Sequence, residues 1–501
     1  MKKQSQIFVI LFTFACAGFL FSSWLPDRIA TASAAILPST VVSDAISPAS
    51  DALSPELLDY IANERRVANS ESDMPDIETL LAEFNSFEAS APKADELLQN
   101  RFSRFPEEYT RDDSAFVTPP ELRGVVDFWV NIFGVYDKNQ VVFYNADDVS
   151  VVYSVLDFSK LDGVDANAVE ATQNQLIQNE NARLQKVLAR LAPMVNQGDD
   201  ATLILSSTDR PILAALRQVA DHVATNAPHL QASLAYRSGF AHRMRQALLN
   251  SAQYLPAMQE IFHNRGLPEE LTVLPFVESA FNARAYSSAG AAGVWQFIED
   301  TGRNYLRIDN FVDERYDPVL ATYAAAEHLG REFKFFRSWP LTINAYNAGP
   351  GRILQAMRQL GTSDIATIVK NFKGSGYGFD SRNYVPEFLA VLEVYRQREL
   401  YFGAMPVTPA HDYEYIKLPA SVNLLTLARL AGLNDDDFKN LNAAFKPVVL
   451  NGEVDVPAGY LVKVPLGKGT SVAAAAGLLG RAASNQEYGM ANDAPHTPDR
   501  L

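Results

Sequence analysis

Glu278 closes an apolar helical run, LPEELTVLPFVES, which extends from Leu267 to Ser279. A Gly-rich stretch follows it and carries Gly293-Val294-Trp295-Gln296. Further on, LTINAYNAGPGR carries Ala345-Tyr346-Asn347. The chemistry open to this set is acid–base. Leu274 and Leu271 lie four and seven residues before Glu278, on its helical face, and Val277 adjoins it. Apolar neighbours disfavour the carboxylate ion, raise the pKa and keep a proton on the group near neutral pH. A carboxyl facing amide and phenol groups from two other segments suits protonation of a sugar's bridging oxygen. A surface Glu at a helix end is the plainer reading of any single Glu, and the apolar setting argues against it here. Gly290, Gly293, Gly349 and Gly351 serve the backbone, as turns and close approaches.

The elements that must hold these residues are helices. From Leu255 to about Phe402 the chain is strongly helical. Met258, Ile261 and Phe262 share a face, and Gly266 ends their helix. Pro268 is read as the first residue of the next helix, with Glu269 and Glu270 in its first turn. Asp317-Pro318 reads as a cap and first residue, and Asn383 to Leu400 as the last helix. The segment 100–245 is mixed. Leu122 to Tyr136 is helical, Gln140 to Tyr144 and Val149 to Phe158 are strands, and Ala166 to Met194 is a long helix with Leu176, Leu184, Val187, Leu188 and Leu191 on one side. It shows no catalytic constellation. The whole reads as a mainly α protein with these parts: a leader over 1–35, a tether over 36–99 with a short helix at Ile77 to Phe87, a mixed α/β accessory domain over 100–245, a helical catalytic domain over 250–402, a small α+β module over 410–467 and a disordered tail over 468–501.

The 501 residues suffice for several domains and a substantial core. With 48% apolar and 20% charged residues the composition is ordinary for a globular protein. A formal net charge of −16 argues against nucleic acid as a partner, because phosphate contacts need clustered Lys and Arg. Lys2 and Lys3, the apolar run Ile7 to Leu25 and the small residues Ala30 to Ala35 have the order of a secretory leader. The alternative is an uncleaved anchor giving membrane association. The single cysteine, Cys16, falls inside that run, so the mature chain would hold neither a disulfide nor a Cys-based metal site. No EF-hand loop occurs and the seven His lack ligand spacing, so no metal and no cofactor is expected.

Glu278-Ser279, Gly293-Val294-Trp295-Gln296, Ala345-Tyr346-Asn347 and Tyr384-Val385-Pro386 occur in the order found in lytic murein transglycosylases, and the chain resembles that soluble-lytic-transglycosylase, goose-lysozyme-like family over about 250 to 400. Trp295 and the phrase AYNAGPGR look most like its membrane-bound D-type branch. Val294-Trp295 stands where Leu-Met is common, and Ala283 where a proline often follows Phe-Asn. The resemblance implies a lysozyme-like fold and cleavage of peptidoglycan strands in the periplasm by one carboxyl group, Glu278, acting as acid and then base. It further implies 1,6-anhydromuramoyl products. By the same resemblance Ser279 binds the substrate's acetamido group, orients Glu278 or caps the helix; Gln296 binds an N-acetyl group; Tyr346 and Asn347 line the cleft; and Tyr384 closes it or is a buried structural residue. Trp295 reads as core packing. The segment from Tyr413 to Gly467 resembles part of a LysM-type glycan-binding module. Two other readings remain at this level: a hydrolase with Glu299, Asp300 or Asp313 activating water, and a non-catalytic peptidoglycan binder.

Overall fold

The β-branched runs on either side of Ala146-Asp147 form a hairpin, and the rest of the N-terminal half is built around it. The computed structural model describes residue 98 and residues 116–161, 166–197, 205–406 and 413–491. The leader expected over 1–35, nearly all of the tether, its short helix and residues 492–501 lie outside the described residues. The described chain is mostly helical and divides into two units: 116–306 with 318–406, and 307–317 with 413–491.

The first unit opens with helix α1 (Arg123–Val130), continued by a π-helical turn, Asn131–Val135. Strands β1 (Gln140–Asn145) and β2 (Val152–Asp157) pair antiparallel from Gln140 opposite Asp157, and β3 (Leu234–Ser238) pairs antiparallel on the other edge of β1. Between β2 and β3 run α2 (Ala166–Leu191), α3 (Asp209–Gln218) and α4 (Ala227–Ala232). Leu184, Val187, Leu188 and Leu191 of α2 pack with Ile212, Leu213 and Leu216 of α3 against Phe143 and Tyr153 of the sheet. Leu176, about two turns earlier, is 40% exposed and stands outside this core, while its neighbour Ile177 packs against it.

A second set of helices follows: α5 (Ala241–Ser251), α6 (Leu255–Asn264), α7 (Leu274–Ser279), α8 (Glu299–Gly302), α9 (Pro318–Phe336), α10 (Trp339–Ala348), α11 (Pro350–Leu360), α12 (Ile365–Asn371), α13 (Phe379–Arg396) and α14 (Arg398–Phe402). Pro256, Pro275, Pro340 and Pro350 all sit in first turns, where a missing N–H is harmless. Pro268 instead precedes a 3-10 turn, Glu269–Val273, as its cap residue. Nearly every residue of α13 from Ser381 to Leu392 is buried, so it is the central post of this set. It also carries Pro386 in its interior.

The second unit pairs β4 (Tyr413–Lys417) with β5 (Leu461–Pro465), with α15 (Leu424–Ala431), α16 (Asp435–Leu441) and α17 (Pro447–Leu450) between them. The tail expected to be disordered over 468–501 is instead helical over α18 (Gly469–Ala491). Alanine is the strongest helix former, and Val472, Ala475 and Ala476 recur at helical spacing with Ala474 and Leu478 in the same core, so a segment that reads as low complexity buries a real face. The loop 307–317, counted by sequence within 250–402, joins this unit: Val312 enters its core and the Lys446 amide donates to the Phe311 carbonyl over 2.8 Å.

Candidate active site

The helix that carries the acid is short and apolar. Leu271 and Leu274 are fully buried and Phe276 nearly so, and Glu278 on the last turn of α7 is only 3% exposed. The helix stops abruptly because Ala280 and Phe281 both take left-handed conformations, φ 50° and 52°. Each such residue is strained by about 1–2 kcal/mol, and strain of this kind collects at functional sites. The Ala280 and Phe281 amides converge on the Pro275 carbonyl, as does the Ser279 hydroxyl at 3.2 Å. The Ser279 hydroxyl also reaches the Val294 carbonyl at 2.9 Å. Ser279 is buried, and its hydroxyl fastens the helix end to the Gly-rich segment.

Burial pushes the Glu278 carboxyl up to about 8, while the hydrogen bond donated by the Tyr384 hydroxyl to its Oε1 pulls the other way. Desolvation wins, so Glu278 keeps its proton at neutral pH. Tyr384 is itself buried on α13. The remaining residues of the set are tied in through backbone groups. The Tyr346 hydroxyl of α10 donates to the Trp295 carbonyl over 2.7 Å, one residue beyond the carbonyl that Ser279 uses. Gln296 is left-handed, φ 49°, and its amide donates back to the Gly293 carbonyl at 2.8 Å. Asn347 accepts from the Ser381 hydroxyl at 2.9 Å, and Asn344 donates to the Ser381 carbonyl at 2.7 Å, which locks α10 to α13. Trp295 is core: its ring stacks on Phe262 and its N–H donates to Thr322 over 2.9 Å.

The structure thus joins α7, the Gly-rich segment, α10 and α13 in one hydrogen-bonded circuit that includes Glu278, Ser279, Gln296, Tyr346, Asn347 and Tyr384. Two further groups escaped sequence reasoning. Glu387, one turn past Tyr384, is a second buried carboxyl, pushed by burial up to about 8 despite the pull of Arg237. His328 on α9 stacks edge-on against Tyr346, Phe297 and Tyr305, and burial drives it down to about 4. The i, i+3 spacing of Tyr384 and Glu387 was visible, but its burial depends on packing that the spacing does not reveal. The alternative carboxylates have other partners or surroundings. Glu299 is exposed and bonded to Arg303 at 3.0 Å, Asp300 is exposed, and Asp313 is paired with Arg315 at 2.7 Å inside its own loop. Among the described residues no group of three or more His, Cys, Asp or Glu could hold a metal ion.

Residues 258–369 match the family model described as the transglycosylase SLT domain. The chain carries a transglycosylase SLT domain. Five of the six site residues lie inside the matched span of the SLT domain, and Tyr384 lies beyond its end. The chain is 35% identical over 185 residues to the membrane-bound lytic murein transglycosylase D of Escherichia coli strain K12, covering 36% of this chain and 40% of that protein. It therefore spans about two fifths of the length of that relative. It is 37% identical over 98 residues to a putative tributyltin chloride resistance protein of Alteromonas sp. strain M-1, covering 19% of this chain and 47% of that one. An inactive mutant of the lytic transglycosylase Slt from Pseudomonas aeruginosa overlaps 40% of this chain and 29% of its own, at 22% identity and a TM-score of 0.26.

Proposed function

We propose that the protein cleaves the β-1,4 bond between N-acetylmuramic acid and N-acetylglucosamine in peptidoglycan without consuming water. The observation that carries this reading is the buried carboxyl of Glu278, raised by burial so that it holds its proton at neutral pH and clasped by the Tyr384 hydroxyl. Glu278 delivers its proton to the bridging oxygen as the bond from that oxygen to C1 of the muramoyl residue breaks. The 2-acetamido oxygen of the muramoyl residue shields the cationic C1. The Glu278 carboxylate then takes the proton of the same sugar's C6 hydroxyl, whose oxygen closes onto C1 as a 1,6-anhydro ring. One proton leaves the acid and one returns to it. The Tyr384 hydroxyl supports the middle of this cycle, because it favours the ionised form that burial opposes. Tyr346, Gln296 and Asn347 hold the glycan, and Ser279 fixes the angle at which α7 presents the acid.

The site of action in this reading is the periplasm, where peptidoglycan strands are the partner and the N-terminal leader serves export or membrane attachment. Among the described residues no helix is long and apolar enough to cross a membrane, and the run Ile7 to Leu25 lies outside them. The order β4, α15, α16, α17, β5, a strand pair with short helices between its strands, supports a LysM-type, glycan-binding reading of the C-terminal unit.

Mass spectrometry of products from purified peptidoglycan tests the reaction. The expected ends are 1,6-anhydromuramoyl, lighter by one water than reducing ends. Glu278→Gln should lose at least about a hundredfold in rate, the lower range for general acid–base catalysis, while still binding glycan. Reducing ends alone would make the protein a hydrolase, and an active Glu278→Gln would misplace the acid.

A further inference from the structure

Three consecutive residues of α13 point at three different structures. Residues on a helix turn by about 100° per position, so Arg382, Asn383 and Tyr384 cannot share a face. Tyr384 faces Glu278. Asn383 accepts a hydrogen bond of 2.9 Å from the indole N–H of Trp129 on α1. Arg382 reaches the turn between β1 and β2, with the carbonyls of Ala146 and Asp147 each at 3.4 Å and the Asp147 carboxylate at 3.7 Å. Both grips come from the region that sequence reading called accessory.

Each grip is itself braced. Trp129 is fully buried, stacks on Phe133 at 5.7 Å, and lies under the Arg237 guanidinium at 4.4 Å. The Asn383 amide also donates to the Phe379 carbonyl at 2.9 Å, so its side chain is held at both ends. Asp147 is held in turn by His229 at 2.7 Å. α13 needs this support at this place. Pro386 has no N–H to return to the Arg382 carbonyl, so the turn that carries Tyr384 lacks one of its own hydrogen bonds.

We infer that the region 116–241 is a positioning device of the active centre: Trp129 and the 146–147 turn fix Asn383 and Arg382, and thereby hold the Tyr384 hydroxyl on Glu278. The inference rests on Glu278 being the catalytic acid. Trp129, Asn383 and Arg382 are positioning residues, since each acts through Tyr384.

The test is Trp129→Phe, which keeps a ring in the stack and deletes the donor, compared in the full-length protein with Tyr384→Phe and with the double variant. The readout is the titration of Glu278 followed by NMR of carboxyl-labelled glutamate, its signal assigned by its loss in Glu278→Gln. Tyr384 favours the ion, so Tyr384→Phe should move the Glu278 midpoint to higher pH. Trp129→Phe should move it in the same direction, with no further move in the double variant. On peptidoglycan, Trp129→Phe should lower kcat about tenfold, inside the penalty that small misplacements carry, with KM within about twofold. Arg382→Gln, on a more exposed side chain, carries the same test if Trp129→Phe does not fold. A Glu278 midpoint that shifts in Tyr384→Phe and stays at the wild-type value in Trp129→Phe and Arg382→Gln overturns the inference. An inactive wild type would defeat the functional reading instead, and the NMR titration would still decide the positioning.

Discussion

At Glu278 a requirement of the proposed chemistry is written into the folding equilibrium. Unfolded, this carboxyl loses its proton near the ordinary 4.5; folded, it holds the proton to about 8. The folded state therefore binds the proton more tightly, and stability falls as pH rises between those two values. At pH 7 the deficit is on the order of 3 kcal/mol, taking about 1.4 kcal/mol per pH unit. Glu278→Gln removes the ionisation but keeps an oxygen for Tyr384. The variant should thus melt a few degrees above the wild type at pH 7 and level with it at pH 4. Melting curves across that range check this, and a gap that does not change with pH would refute it. The same argument shows why this residue was legible in sequence while its neighbour was not. Glu278 announces its burial through Leu274 on its own helix and Leu271 in the 3-10 turn before it. Glu387 lies among residues that read as an ordinary helix, and its surroundings include Arg237, from a strand 150 positions earlier in the chain.

Among the elements, α9 carries the opposite electrostatic problem. His328 is held neutral among Tyr305, Phe297 and Tyr346, with Arg331 of the same helix adding its repulsion to burial. The unfolded chain takes up a proton near 6.5 and the folded one only near 4, so this stability is present above pH 6.5 and lost as pH falls between the two. His328→Phe should flatten that loss. Relative to the wild type, the urea midpoint of the variant should be higher at pH 5 than at pH 7.5, and a relative midpoint that does not change with pH would count against the assignment. His222 works in the reverse sense. Asp148 holds its pKa up, so its contribution is complete below pH 6.5 and fades as pH rises through the raised value. Helical spacing located α2 and α6 well because each shows a continuous apolar face. It did not locate α18, where alanines supply the face, and it began α13 at Asn383 instead of Phe379 because Phe379-Asp380-Ser381-Arg382 has no apolar repeat.

For the molecule as a whole, the division in space differs from the division along the chain. The loop 307–317 belongs with residues 413–491. Its last residue, Asp317, is buried, paired with Lys463 of β5 at 2.8 Å and hydrogen-bonded by Tyr415 of β4 at 2.7 Å. Sequence reading took Asp317 only as the cap of the next helix, since the partner that gives its side chain another role is 146 residues away. Removing one partner of such a buried pair costs about 3–5 kcal/mol, because the other charge is left dry and alone. A chain shortened at Pro406 loses both partners. Trypsin should then cut after Arg315, whose side chain is buried in the full-length protein, while the full-length protein resists at that bond. Equal resistance in the two chains would show that the loop holds its shape unaided.

The bonds that hold α7 and α10 to the Gly-rich segment end on main-chain carbonyls, those of Val294 and Trp295. A carbonyl is the same in every residue. Mutation can therefore exchange the side chains at 294 and 295 without touching the groups that anchor Ser279 and Tyr346, provided the replacements fill the same interior volume. At 294 the demand is volume alone, while at 295 a replacement must also make good the stack on Phe262 and the bond to Thr322. An unusual pair of residues there is a poor reason to exclude a sequence from a search for enzymes of this kind.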